Sequence, residues 1–285
     1  MARVGIVLSG GLAKGAYQMG ALKCISEFFS PEELICMSAS SVGILNAYAY
    51  ATNKMELGEK LWSDLEVKGM ISSYRKLALT SFVYDTVDAL IDESDVIPLN
   101  LYTTCYNISD SEVKYINLRK RPKEDHNILM RASVCFPLFA KPLVINGKKY
   151  IDGALIDNIP VTPMHKHDLD YIIVVHFDKK SYVFENEHFD RRIIQINYYD
   201  DTLVKNFLAL DKASISNMTQ VGYEKCHAIL SKLFRNGTDD LETIYEGIDE
   251  LNKEHTTSER RITGDVVLRN INKFTQKFLS KEEIG

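Results

Sequence analysis

Val4-Gly5-Ile6-Val7-Leu8 is a short, almost unbroken apolar run, and it passes directly into Ser9-Gly10-Gly11-Leu12-Ala13-Lys14-Gly15. Beyond that turn Ala16, Met19, Leu22, Ile25 and Phe28 recur at helical spacing. Such a sequence reads as a buried strand, a bare-backbone turn and a helix. A strand that is apolar on both sides must be covered on both faces, which commits the chain to a sheet flanked by helices. The turn aims free N–H groups and the positive end of a helix dipole at whatever lies above it. Its spacing excludes two phosphate-binding patterns. Gly15 is followed by Ala16-Tyr17, where a P-loop needs Lys-Ser/Thr, and the adjacent glycines do not fit G-x-G-x-x-G.

The same alternation continues for two hundred residues. Strands are expected at 34–38, 99–105, 112–117, 149–151, 171–177 and, as the last, 191–198, with a turn over 107–111. Helices are expected from 43 to about 67, with a break near Asn53, and over 125–134; residues 70–95 are mixed and mainly helical. The expected fold is α/β, a three-layer sandwich with a mostly parallel central sheet, followed by a C-terminal helical region. Residues 1–202 form the core in this reading. Residues 203–285 pack on it as helices over 203–234, 239–253 and 265–280, with a membrane-facing or regulatory cap as the alternative role.

Composition narrows the function classes. The 285 residues carry a net charge of −5, so no basic field argues for nucleic acid. The apolar runs are too short to span a bilayer, and the N-terminus lacks the apolar core of a signal peptide. The five cysteines are scattered, odd in number and without C-x-x-C spacing, which suggests reduced thiols in a cytoplasmic setting and no metal site.

The second strand runs into Ala39-Ser40-Ser41-Val42-Gly43, close to G-x-S-x-G with alanine in the first glycine position. In that pattern a nucleophilic serine sits on a strained strand-to-helix turn, and its neighbours must be small. The plain alternative is a serine that caps a helix. Loops after neighbouring parallel strands share a sheet edge, so Gly10, Gly11 and Leu12 would present N–H groups above Ser41, as an oxyanion hole requires. A third feature is Asp152-Gly153-Ala154, which follows a strand and precedes Asp157-Asn158-Ile159-Pro160.

Together these motifs resemble the patatin-like phospholipase family, whose members carry G-G-x-x-[RK]-G, then G-x-S-x-G, then D-G-[GA]. They stand here as Gly10-Gly11-Leu12-Ala13-Lys14-Gly15, Ala39-Ser40-Ser41-Val42-Gly43 and Asp152-Gly153-Ala154. Arg131-Ala132-Ser133-Val134-Cys135-Phe136-Pro137-Leu138-Phe139 is similar to a further family segment that precedes the aspartate. The resemblance covers about residues 4–178. It implies a Ser41–Asp152 dyad without a catalytic histidine or a cofactor, and backbone donors at Gly10, Gly11 and Leu12. Lys14, Gly15, Gly43 and Gly153 support the site, with Lys14 holding the loop or meeting a phosphate head group. Asp157 reads as loop structure.

The implied substrate is a lipid acyl ester, a glycerophospholipid or lysophospholipid, met by transient contact with a membrane surface from a cytoplasmic or peripheral location. A non-catalytic lipid- or partner-binding protein on the same fold is the rival, supported by Ala39 and by Leu12 in place of a third glycine. A triad using His165 or His167 is a weaker rival. Ile71, Tyr74, Leu77, Leu79, Phe82, Val83 and Tyr84 are expected to pack as core, with an apolar flap over the site as the alternative.

Overall fold

The computed structural model describes residues 1–65, 72–138, 140–199, 211–254 and 258–282. Strand β1 (Val4–Leu8) leads through the glycine turn into α1 (Gly15–Ile25), and β2 (Leu34–Ser40) leads into α2 (Gly43–Ala51). Asn53, at a φ of 57°, separates α2 from α3 (Met55–Ser63), and α4 (Ser72–Leu90) follows. The hairpin of β3 (Asn100–Asn107) and β4 (Glu112–Asn117) precedes α5 (Glu124–Ser133). A second hairpin joins β5 (Leu143–Ile145) to β6 (Lys148–Asp152) through Asn146-Gly147, both at positive φ, as a tight two-residue hairpin turn demands. Next come β7 (Tyr171–His176), β8 (Ser181–Phe184), the short α6 (Glu187–Asp190) and β9 (Ile193–Asn197). The C-terminal part holds α7 (Lys212–Leu233), α8 (Leu241–Glu254), β10 (Ser258–Arg261) and α9 (Thr263–Glu282).

The main sheet has eight strands in the order β5-β6-β3-β2-β1-β7-β9, with β4 on the remaining margin of β3. The central pairs β3–β2, β2–β1, β1–β7 and β7–β9 are parallel, and the hairpin strands add an antiparallel margin. The chain is thus mixed α/β with a mostly parallel centre. Both faces are covered: Val4, Ile6 and Leu8 of β1 join one buried cluster, while Val7 joins another with Ile172, Val174, Met164 and Leu169. This explains why β1 reads as continuously apolar instead of alternating. From β1 the sheet grows through β2 on one side and β7 on the other, so the carboxyl end of β1 borders a crevice where the strand order reverses. Leu8 at that end pairs with Ala39, which brings the glycine turn and the Ser41 turn side by side.

Three strands, β5, β8 and β10, escaped the sequence reading. Ser258–Arg261 is polar and charged, yet as β10 it pairs in parallel with β8 to form a separate two-stranded sheet. Strand β9 is therefore not the last. Only the partner strand decides this, because Ser-Glu-Arg-Arg carries no apolar alternation of its own. The α7 helix lies against α1 so closely that a Cβ on Gly222 would sit 2.2 Å from the Tyr17 carbonyl oxygen. Ile215, Met218, Cys226, Leu230, Ile244 and Ile248 share the main buried cluster with the sheet. The boundary near Leu203, and His255, lie outside the described residues.

Candidate active site

Strand β2 ends at Ser40, and Ser41 follows with a φ of 54°, in the left-handed region that a non-glycine residue occupies at a cost. Helix α2 starts two residues later with Val42 in the capping position and no side-chain cap, so the Ser41 hydroxyl is not spent on capping. A Cβ on Gly43 would lie 3.0 Å from the carbonyl oxygens of Leu8 and Ser9. Glycine there lets the start of α2 press against the end of β1 and tightens the elbow. Ala39 is fully buried between Leu8 and Thr103 on the flanking strands, where its methyl group is small enough to fit.

Asp152 closes β6 and is fully buried. Its Oδ1 accepts the Ala154 N–H at 2.8 Å, and its own N–H is donated to the Cys135 carbonyl at 3.0 Å. Oδ2 has no hydrogen-bond partner at bonding distance among the described residues. Burial pushes the carboxyl from its ordinary 3.8 up to about 7; the nearby Ser41 hydroxyl and the Ala154 N–H hold it back from rising further. The Ser41 hydroxyl thus lies near enough to act on the carboxyl, although the pair does not meet the geometry of a formed hydrogen bond, as is common in acyl-transfer sites before a substrate aligns them.

The glycine turn lies directly on this pair. A Cβ on Gly10 would fall 2.8 Å from the Ser41 Cβ and 3.0 Å from the Ala154 Cβ. The Gly10 N–H, expected as an oxyanion donor, is instead donated to Asn158 Oδ1 at 3.0 Å. Gly10 therefore contributes bareness, not a free donor. The N–H groups of Gly11 and Leu12 have no partner among the described residues, and Leu12 holds a φ of 52° that turns the backbone here. The Lys14 ammonium stands 5.9 Å from the centre of the Phe177 ring, within the range of a cation–π contact. Gly15 opens α1, and Gly153 opens the turn after Asp152.

The model of the patatin-like phospholipase family matches residues 6–165, more than half of the chain. The chain belongs to the patatin-like phospholipase family. Among curated relatives, lysophospholipase NTE1 of Cryptococcus neoformans var. neoformans serotype D is 28% identical over 186 residues, 61% of this chain and 11% of that protein. The Saccharomyces cerevisiae lysophospholipase NTE1 is 26% identical over 194 residues, 60% of this chain and 10% of that protein. This patatin-like chain thus spans about a tenth of the length of those relatives. Among solved structures, VipD from Legionella pneumophila aligns with a TM-score of 0.46 at 11% identity, over 99% of this chain and 86% of that one.

Several residues of this patatin-like site were not legible as such. Asn158 accepts the Gly10 N–H, and Asp157 before it accepts the Ser40 hydroxyl on its carbonyl at 2.9 Å. The Asp157 carboxylate is buried, bonded to Tyr115 and paired with Arg261, both at 2.6 Å. Beneath the turn, Gln18 donates to the Ser9 carbonyl, Asn46 to the Gly15 carbonyl, and Trp62 to Asn46. Asn158 lies close to Asp152 in sequence, and that was the one signal available. Asn46 and Gln18 look like ordinary helix residues.

A narrow apolar cleft opens at Ser41. Leu12, Val42, Trp62, Leu65, Phe82 and Phe136 are among its walls. Phe82 and Val83 therefore both pack against the core and line the cleft, so the alternatives of core and flap merge there. Ile71 and Phe139, and the side chains of Tyr74, Leu77 and Leu79, lie outside the described residues. His165 stacks on Phe189, His167 meets the Tyr102 hydroxyl, and His126 meets the Leu118 carbonyl. Among the described residues no histidine contacts Ser41. Among the described residues no group of three or more His, Cys, Asp or Glu could hold a metal, and no helix of the described residues is long and apolar enough to cross a membrane.

Proposed function

We propose that the chain is a serine acyl hydrolase that cleaves carboxylic esters of lipids, of phospholipase A or lysophospholipase type, with Ser41 as nucleophile and Asp152 as base. One observation carries this reading. A buried carboxyl with one unbonded oxygen faces a strained serine at the foot of an apolar cleft. Asp152 Oδ2 takes the Ser41 proton as Oγ attacks the ester carbon, and the carbonyl electron pair moves to oxygen. The Gly11 and Leu12 N–H groups receive that oxyanion, aided by the N-terminus of α2. Collapse expels the alcohol, which takes the proton from Asp152. Water then repeats the sequence on the acyl-Ser41 ester and releases the fatty acid. The raised pKa suits the aspartate to a base's task near neutral pH.

The apolar cleft receives the acyl chain, and the head group stays at its mouth. We infer that Leu138 and Val144, 67% and 60% exposed and within four residues of the cleft residues Phe136 and Ala140 along the chain, form an apolar rim for transient contact with a lipid surface. Residues 1–202 supply the hydrolase core in this reading, and helices α7, α8 and α9 pack on it.

The test compares hydrolysis of a short-chain p-nitrophenyl ester and of a phospholipid and lysophospholipid panel by wild type, Ser41→Ala and Asp152→Asn. Activity should fall by a factor of about a thousand or more in both variants. Wild-type rates in Ser41→Ala would place the chemistry elsewhere. An inert wild type that also resists fluorophosphonate labelling would favour a binding protein on this fold.

A further inference from the structure

The geometry points to Arg261, on the C-terminal strand β10, as a positioning residue for the hydrolase site, acting through Asp157. This rests on the Ser41–Asp152 reading above. The family match ends at residue 165, so nothing in it assigns Arg261 a role.

Asp157-Asn158 is the point where the parts of the site are tied together. The Asp157 carbonyl receives the hydroxyl of Ser40, the residue before the nucleophile. Asn158 receives the Gly10 N–H of the glycine turn. The Asp157 N–H closes the short turn that begins at Gly153, beside Asp152, by donating to the Gly153 carbonyl at 2.9 Å. A shift of this dipeptide therefore moves nucleophile, oxyanion donors and base relative to one another.

Two side chains hold Asp157 in place. Tyr115 donates to Oδ2 and the Arg261 guanidinium to Oδ1, each at 2.6 Å. Asp157 is fully buried and Arg261 is 5% exposed, so water cannot substitute for either bond. A buried carboxylate stripped of its cation is left uncompensated and drives its loop to rearrange. Arg261 is itself fixed by the pairing of β10 with β8, by the Glu185 N–H on its carbonyl, and by Thr263, which bonds the Glu185 carboxylate. Helix α9 adds to the same clamp: Asn270 donates to the Ile156 carbonyl at 2.9 Å, and Val267, Ile271 and Phe274 cover Tyr106, Ile151 and Ile156. A segment remote in sequence thereby grips the loop that carries the base.

Asp152 reports on that grip. The titratable groups facing it are the Cys105 and Cys135 thiols, whose pKa values burial raises, which leaves them neutral. Its position near 7 is set by exclusion of water, and a loosened loop admits water and returns it toward the ordinary carboxylate range.

The experiment measures kcat, KM and the pH profile of p-nitrophenyl ester hydrolysis in the full chain, for Arg261→Gln, Arg261→Lys, Tyr115→Phe and Ser41→Ala. In folded Arg261→Gln, kcat should fall at least tenfold with KM within twofold, and the acidic limb of the profile should move to lower pH. Arg261→Lys keeps the charge and should recover part of kcat and of the limb. Loss of stability alone would shift neither KM nor the limb. Wild-type kcat and an unmoved limb in folded Arg261→Gln overturn the assignment. Should that variant not fold, Arg261→Lys carries the test, because a lysine cannot reproduce the guanidinium bond to Oδ1 in the same place: a fall of about threefold with a lowered limb supports the assignment, and wild-type values overturn it; Tyr115→Phe, which frees the other carboxylate oxygen, should move the limb in the same direction. Full activity in Ser41→Ala would instead remove the underlying site reading.

Discussion

A buried carboxyl proposed as a base near neutral pH must destabilise the fold that holds it, and Asp152→Asn measures by how much. The carboxyl titrates near 7 in the folded chain and at its ordinary 3.8 when exposed. Between those values the folded state binds a proton that the unfolded state has released, so stability falls as pH rises through the window. The gap is roughly 3 pH units, and at about 1.4 kcal/mol per unit Asp152 costs about 4 kcal/mol above pH 7 and nothing below about pH 4. Asparagine is close to the same shape, keeps an acceptor for the Ala154 N–H and carries no charge. The variant should therefore be inactive yet more stable than wild type by about 2–4 kcal/mol at pH 8, with the difference shrinking towards zero at pH 4. For a chain of this size that is a rise of roughly 4–12 °C in Tm. Thermal or urea unfolding of both proteins at pH 4, 5, 6, 7 and 8 reads it directly. A stability difference that does not change with pH would refute the desolvated-base argument, whatever the activity does.

Two further substitutions test the packing that assembles the site. Gly10→Ala would put a methyl group 2.8 Å from the Ser41 Cβ and from Asn158 Oδ1, so kcat should fall about a hundredfold while the circular dichroism spectrum stays native; a tenfold loss or less would mean that the turn yields easily. Gly222→Ala forces α7 off the Tyr17 carbonyl, which lies 2.2 Å from the new Cβ. It should cost about 1–3 kcal/mol in urea unfolding and leave the rate per folded molecule within about twofold, since the contact lies on the α1–α7 interface and not at Ser41.

The sequence by itself determined the frame. The apolar runs at Val4–Leu8 and Tyr171–His176 could only be strands covered on both faces, and the small residues about Ser41 announced a strained elbow before any geometry was known. Short-range chemistry is legible in this way because strand period, helix period and turn residues act within a few positions. What only the tertiary structure decided acts over long separations. It bonded the Gly10 N–H to Asn158 and so removed one expected oxyanion donor. It folded the polar Ser258–Arg261 against β8, and it carried Arg261 into a buried pair with Asp157, 104 residues away along the chain. It also excluded water from Asp152, which raises its pKa into the range that the proposed base needs near neutral pH. Burial is a property of everything packed around a residue, and no local pattern in the chain records it.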